Sequence, residues 1–362
     1  MPAIAYQPAY EIIEADEAET QAGLRDTLLG ISEKTCAHSG HATRSVHAKS
    51  HGLLRGQLQV AAGLPPELAQ GLFAAPATYP VVMRMSTVPG DILDDKVSTP
   101  RGLAVKVIGV DGARLPGSEG ARTQDFVMVN GPTFLAPGPK PFLGNLKLLA
   151  ATTDRAEDLK KVLSAVLRGT EKLLEAAGGE SGAIKALGGH PLTHPLGETY
   201  FTQVPMLYGP YMAKLCVVPV SAALAALRDA PLDLDGKPDG LRDAVIAFFA
   251  ANGGEWDVRV QLCTNIETMP VEDASAPWPE SESPYVTVAR LSAPPQTGWS
   301  EARSRAVDDG MAFSPWHGLA AHRPLGAIMR ARKSAYEASA RFRAAQTGIN
   351  MTEPDHLEDF PS

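Results

Sequence analysis

Cysteine is scarce in this chain. Three occur in 362 residues, Cys36, Cys216 and Cys263, with no Cys-x-x-Cys pair. An odd, widely spaced set excludes a disulfide scaffold and a structural zinc site, and points to reduced thiols in a cytoplasmic setting. Long apolar runs are missing too. No stretch of ~20 apolar residues is present, so no membrane-spanning helix is expected. Residues Met1 to Tyr10 lack the basic and apolar regions of a signal peptide. Basic residues are in deficit, 33 Lys+Arg against 41 Asp+Glu, for a formal charge of −8. A net acidic chain without a Lys/Arg cluster is poorly suited to gripping phosphate backbones, so nucleic acid is not an expected partner. Repeats and low-complexity segments are absent as well.

What is present is enough apolar residue, 44%, to bury one large core. Residues Glu11 to Lys34 read as an amphipathic helix with an acid-rich first half. Short runs rich in Val, Phe, Tyr and Thr, bounded by Gly and Pro, then predict eight strands near 56–61, 79–87, 101–109, 124–130, 199–205, 211–218, 256–267 and 284–291. Helical patterns at Lys140–Ala151 and Asp154–Ala177 form an insertion after the fourth strand. Others cover Leu241–Ala251, about 300–308 and 324–345. Strands in runs, not alternating with helices, predict an α+β fold with an eight-stranded antiparallel barrel, helical insertions and C-terminal helices. A single domain over 1–362 is expected: an N-terminal helical arm (1–35), a barrel (40–295) with its insertion at about 140–178, and C-terminal helices (296–362).

Three segments carry candidate chemistry. Arg332 and Tyr336 are four residues apart on the last helix, which places them on one face with Cβ atoms ~6 Å apart. A guanidinium beside a phenol favours phenolate, a hard anionic ligand that suits ferric iron. The same spacing also occurs on many ordinary helices. Arg44-Ser-Val-His47-Ala-Lys49-Ser-His51 offers His47 as an acid/base group near working pH, or else a solvated loop. His38, His41 and His51 match no standard metal-ligand spacing and read as solvated or hydrogen-bonding residues. Finally, Arg84-Met-Ser86-Thr87-Val88, Pro100-Arg101-Gly102-Leu-Ala-Val-Lys106 and Asp125 to Pro132 read as strands with arginines near their ends. Those arginines suit carboxylate ligands or salt bridges at a barrel rim.

In this order, these segments resemble the haem catalases. The stretch around His47 resembles their H-A-K-G region, Arg84–Val88 their R-F-S-T-V strand, Pro100–Lys106 their P-R-G-F-A-V-K strand, and Asp125–Pro132 their D-L-V-G-N-N-T-P. Gly-x3-Arg-x-Arg332-x3-Tyr336 resembles the R-x3-Y element that supplies their iron ligand. The resemblance covers most of residues 30 to 345. It implies haem b with Tyr336 as iron ligand, held as phenolate by Arg332, and His47 as the acid/base above the ring. It makes Ser86 the partner of the His47 ring, and Arg44, Arg84 and Arg343 the partners of the haem propionates. Phe134 and Phe142 would be aromatics near the haem, with Val46 and Val88 narrowing the pocket.

The chain departs from the family in places. The family's distal asparagine aligns with Val129; a one-residue slip or bulge would instead turn Asn130 inward as the catalytic amide. The neighbouring aromatic pair is reduced to Phe134 and Leu135. The long N-terminal arm and extended C-terminal region of typical catalases are not seen, so NADPH is not expected, and a homodimer is expected in place of an arm-exchanged tetramer. The resemblance implies a small catalase-related haem enzyme that dismutates hydrogen peroxide. The alternatives are a peroxidase acting on organic hydroperoxides with a small organic reductant, and a haem-binding barrel without turnover. Val46, where hydroperoxide isomerases of the family carry Thr, weighs against isomerase action.

Overall fold

The computed structural model describes residues 2–152 and 190–361. Their nine strands are β1 (Ser50–Val60), β2 (Thr78–Thr87), β3 (Arg101–Ile108), β4 (Thr123–Val129), β5 (Tyr200–Phe201), β6 (Met206–Tyr208), β7 (Tyr211–Pro219), β8 (Gly254–Leu262) and β9 (Val286–Ala293). All pair antiparallel, in the order β5-β4-β3-β2-β1-β9-β8-β7-β6, and β5 also pairs with β7. That last pairing closes an eight-stranded barrel, with β6 as a short hairpin partner at the end of β7. The seam is small: Tyr200 opposite Val217 and Phe201 opposite Cys216.

Alternation along the strands sends Leu54, Leu58, Val81, Met83, Val105, Val107, Val258 and Val260 into the barrel, all buried. Each contributes on the order of 2 kcal/mol by leaving water. The opposite face of β1–β3 is also buried. Leu53, Val82, Ala104 and Ile108 pack there against Val307, Met311, Phe313 and Phe360 from the C-terminal third. A strand buried on both faces needs a second layer, and that layer positions the site.

The layer's main elements are helices α1 (Glu17–Ser39), α2 (Pro139–Thr152) and α5 (Ala327–Thr347). Helix α3 (Gly240–Ala251) packs near β1, and α4 (Glu301–Ser304) runs into a π-helical turn, Arg305–Asp309. Leu24 and Ile31 of α1, Leu146 of α2 and Ala331 of α5 form one apolar cluster. Arg330 of α5 pairs with Glu11, Glu17 and Glu272, at 2.9, 2.7 and 3.1 Å.

The structure shifts several expected boundaries. Helix α1 starts at 17, not 11, because Glu11 is drawn away to Arg323 and Arg330. It runs on to 39, where Gly40 at φ 72° ends it by donating its N–H to the Cys36 carbonyl. The strand expected over 199–205 is cut to β5 (Tyr200–Phe201), ending before Gln203, whose φ is 65° and whose amide donates to the carbonyls of Gly131 and Thr133. β1 begins six residues early, through an irregular pairing between Ser50 and Gly52. The expected helix at Asp154–Ala177 lies outside the described residues.

Candidate active site

A cavity of about 350 Å³ lies between the outer faces of β2, β3 and β4 and helix α5. Arg44, Val46, His47, Arg84, Ser86, Tyr336 and Arg343 all line it, and Leu28, Gly102, Ala104, Val127, Phe313 and Glu353 complete its wall.

His47 sits in the turn before β1 with a left-handed backbone, φ 56°. Such a conformation costs a residue with a Cβ on the order of 1–3 kcal/mol and persists only where the surroundings enforce it. They do so here. The His47 N–H donates to the Val88 carbonyl at 2.8 Å. The ring Nδ1 lies 3.0 Å from Ser86 Oγ, which leaves Nε2 as the nitrogen open to a substrate. A Cβ at Gly102 would come within 2.6 Å of the imidazole, so the glycine makes room for the ring. Burial, then the charges of Arg84, Arg332 and Arg44, push the imidazole down from 6.5 to about 3. It is therefore a neutral base across the ordinary pH range.

Across the cavity, Arg332 Nη2 donates to Tyr336 Oη at 2.6 Å. This bond follows from i,i+4 geometry on α5.

The third part is a cluster of three guanidiniums around Asp308. Arg84 Nε donates to Asp308 Oδ1 at 2.7 Å, and Arg44 Nη1 donates to the same oxygen at 3.0 Å. Arg343 donates to the Asp308 carbonyl. Ser50 and Ser304 hydroxyls also donate to the carboxylate, at 2.7 and 2.8 Å. Burial raises the Asp308 carboxyl, but Arg84 and Arg44 outweigh it and bring it to about 2. Burial and Arg84 push Arg343 down to about 10, and its Nε has no partner among the described residues. Three buried cations around one carboxylate leave positive charge uncompensated. A phenol held by a guanidinium, an imidazole opposite, and a cationic cradle beside them form a donor set that fits a flat, dicarboxylate metalloporphyrin.

Four expected site residues stand elsewhere. β3 and β4 pair without a register shift, from Gly102 opposite Val129 to Ile108 opposite Thr123. No slip occurs, so Val129 shares the face of cavity-lining Val127, and Asn130 points away. The Asn130 amide instead meets His190 Nε2 at 2.6 Å, contacts Glu198, and accepts from the Arg101 N–H at 2.8 Å. Phe134 and Phe142 pack edge to face, centroids 4.8 Å apart, in a cluster with Ile328 and Met329. They support the start of α5 and do not line the cavity. Val88 acts through its carbonyl on His47, not by narrowing the pocket.

Sequence reasoning missed Asp308, because nothing local ties it to arginines 224 and 264 residues away. It also gave Gly102 no role, though the residue lies in a motif already singled out. Of the histidines, His317 was not anticipated. It joins Asp125 and Glu353 with ligand atoms within 4.8 Å of one another. Lys106 Nζ already sits there, 2.7 Å from Asp125 Oδ1, and supplies the cation that such a group would otherwise recruit.

No family model matches the chain, and no curated protein matches it by sequence. By structure, the barrel with its layer of helices is a catalase-like fold. A fungal catalase superposes with a TM-score of 0.60 at 16% identity, over 90% of this chain and 70% of that one. Catalase A from Saccharomyces cerevisiae gives 0.59 at 17%, over 86% and 64%. A bacterial catalase gives 0.57 at 18%, over 94% and 63%. The chain thus spans slightly under two thirds of the yeast and bacterial proteins.

Proposed function

We propose that the chain is a haem-dependent enzyme that consumes peroxide, with haem b as cofactor and no NADPH. The observation that carries this reading is the pairing of the Arg332–Tyr336 phenol and the His47 imidazole on one cavity. Tyr336 would hold the iron, and Arg332 would orient the ligating oxygen through its hydrogen bond. Arg44, Arg84 and Arg343 would hold the propionates, which supply the negative charge that the cluster around Asp308 lacks.

Ferric haem, when bound, supplies the redox centre that accepts oxidising equivalents from the O–O bond. The chain's own residues handle protons and position. Neutral His47 takes the proton from the nearer peroxide oxygen through Nε2 and returns it to the departing one, so that water or an alcohol leaves. Ser86 at Nδ1 fixes the ring, and the left-handed backbone keeps it over the cavity. Val46, Val127 and Leu28 form an apolar wall.

With hydrogen peroxide as both oxidant and reductant, the reaction is dismutation. A second reading is favoured by Val129. Among the described residues, no Asn or Gln lines the cavity, so no amide orients a small peroxide there. The apolar wall then suits organic hydroperoxides, with an organic molecule as reductant. Oxygen release from hydrogen peroxide, set against phenol oxidation at the same enzyme concentration, separates the two. Oxygen release dominates under the first reading and is minor under the second. An absorption spectrum tests the shared claim: a colourless protein from haem-supplemented cells would overturn both. The setting we propose is a reducing cytoplasm. All three cysteines are free, and burial pushes the Cys216 and Cys263 thiols up to about 12 and 11.

A further inference from the structure

A second cavity, of about 410 Å³, lies on the far side of the arginine cluster. It shares Arg44 with the first, so this side chain stands between the two cavities, with Asp308 on the second cavity's side. Its rim carries Arg305, which is exposed and whose guanidinium makes no hydrogen bond or ion pair among the described residues. The other cations of the wall are committed. Lys49 is held by Asp95 at 2.8 Å, and Arg242 lies 3.6 Å from Asp239 with its guanidinium 4.0 Å from the Trp299 ring centroid. Of the acids, Asp308 is held by Arg44 and Arg84, and Asp309 by His41 at 2.8 Å, while Glu301 is exposed on the same wall. Ile92, 54% exposed, adds an apolar surface beside them. Arg305 opens the π-helical turn that also supplies Asp308, and single π-turns recur at functional sites.

We propose that this second cavity binds the organic reductant, and that the reductant is a small anionic aromatic or enediol whose acidic group pairs with Arg305. The inference rests on the peroxidase reading of the first cavity. The ring of such a molecule would lie along Ile92, one side-chain layer from the propionate cradle. Electrons would then cross only the Arg44 partition, and the reductant would never compete with peroxide for the space at His47. The balance is simple. One hydroperoxide takes two electrons and two protons, and leaves as one alcohol and one water. Two phenols each give one electron and one proton, and leave as two phenoxyl radicals. A free cation at the rim also draws anions by long-range attraction, which salt screens.

The test uses the haem-loaded full chain and two phenols, 4-hydroxybenzenesulfonate and 4-methoxyphenol. Arg305→Glu reverses the rim charge. We expect kcat/KM for the sulfonate to fall roughly tenfold, which corresponds to about 1.4 kcal/mol of lost attraction, while that of the neutral phenol stays within about twofold. Calorimetric titration of the sulfonate without peroxide reads the same site independently of turnover, and its Kd should rise by a similar factor. A sulfonate Kd unchanged in Arg305→Glu overturns the proposal, as does an equal loss for both phenols. If the protein proves to carry no haem or to leave peroxide intact, the function proposed above fails, and the calorimetric result alone still decides whether the anion site exists.

Discussion

Tyr336 and His47 face one cavity, but the chain brings them there by different routes. Tyr336 and its partner Arg332 belong to a single regular helix, α5, and their 2.6 Å hydrogen bond follows from four residues of spacing. His47 depends on the ends of two other strands, β2 and β3: Val88 fixes its backbone, Ser86 its ring, and Gly102 the space it fills. The first arrangement is local and robust. The second is assembled from distant segments and holds a backbone conformation that the sequence alone would not favour.

Breaking the local side should have the larger effect. Tyr336→Phe is expected to remove the iron ligand, abolish peroxide consumption and shift the Soret band of any haem retained. A variant with full haem and an unaltered spectrum would show the assignment to be wrong. His47→Ala should leave the haem bound but slow peroxide consumption by roughly 10²–10⁴-fold, the usual contribution of a positioned acid/base group. Stopped-flow spectroscopy reads both at once. Gly102→Ala probes the assembled side without touching a catalytic group. A Cβ that close to the imidazole should force the ring away, slow the reaction on the order of tenfold and lower stability by about 1–3 kcal/mol. A Tm and a rate equal to those of the parent would show that the ring has room to spare. The smallest effect is expected from Val129→Asn, which restores an amide on the cavity face. It should raise oxygen release relative to phenol oxidation by a few-fold, and an unchanged ratio would remove Val129 as the determinant.

Acid sharpens the comparison further. His47 protonates only near 3, so the peroxide reaction should stay level from about pH 9 down to about pH 4. A fall near pH 6.5 would mean an imidazole with its ordinary affinity for protons. Stability should behave differently. Burial, with Arg101 beside His194, also pushes His194 and His322 down to about 4, whereas unfolded histidines take protons near 6.5. The unfolded chain therefore binds more protons below pH 6.5. Stability is fully present above that pH and should fall by roughly 1.4 kcal/mol per histidine per pH unit on acidification toward 4. Calorimetric Tm values at pH 7.5, 5.5 and 4.5 check this, and equal values would contradict it.

How much of this could be read from the chain follows the same division. The strand runs are visible because their alternation is strong, and seven of the eight expected strands lie within a few residues of the observed ones. The exception, 199–205, fails at Gln203, where a left-handed residue interrupts a run of good strand formers. The Arg332–Tyr336 pair is legible from helical geometry. Whether Val129 or Asn130 faces the cavity turns on register, which only the unbroken β3–β4 pairing decides. The role of Asp308 is invisible in sequence, since Arg44, Arg84 and Arg343 reach it from three separate elements. Phe134 and Phe142, expected beside the haem, instead pack on each other and on the first turn of α5, a contact that no local pattern encodes.

Arg330 carries a consequence for how the protein matures. Its guanidinium ties α5 to carboxylates at positions 11, 17 and 272, and α5 itself follows every strand of the barrel. During synthesis, then, the wall bearing His47 exists long before the helix bearing Tyr336 leaves the ribosome, and that helix can dock only on a framework already in place. The last strand ends at Ala293, but the outer faces of β1–β3 stay uncovered until Val307, Met311, Phe313 and Phe360 are made. Under the proposed function, acquisition of haem should accordingly be among the last events in the life of a new molecule.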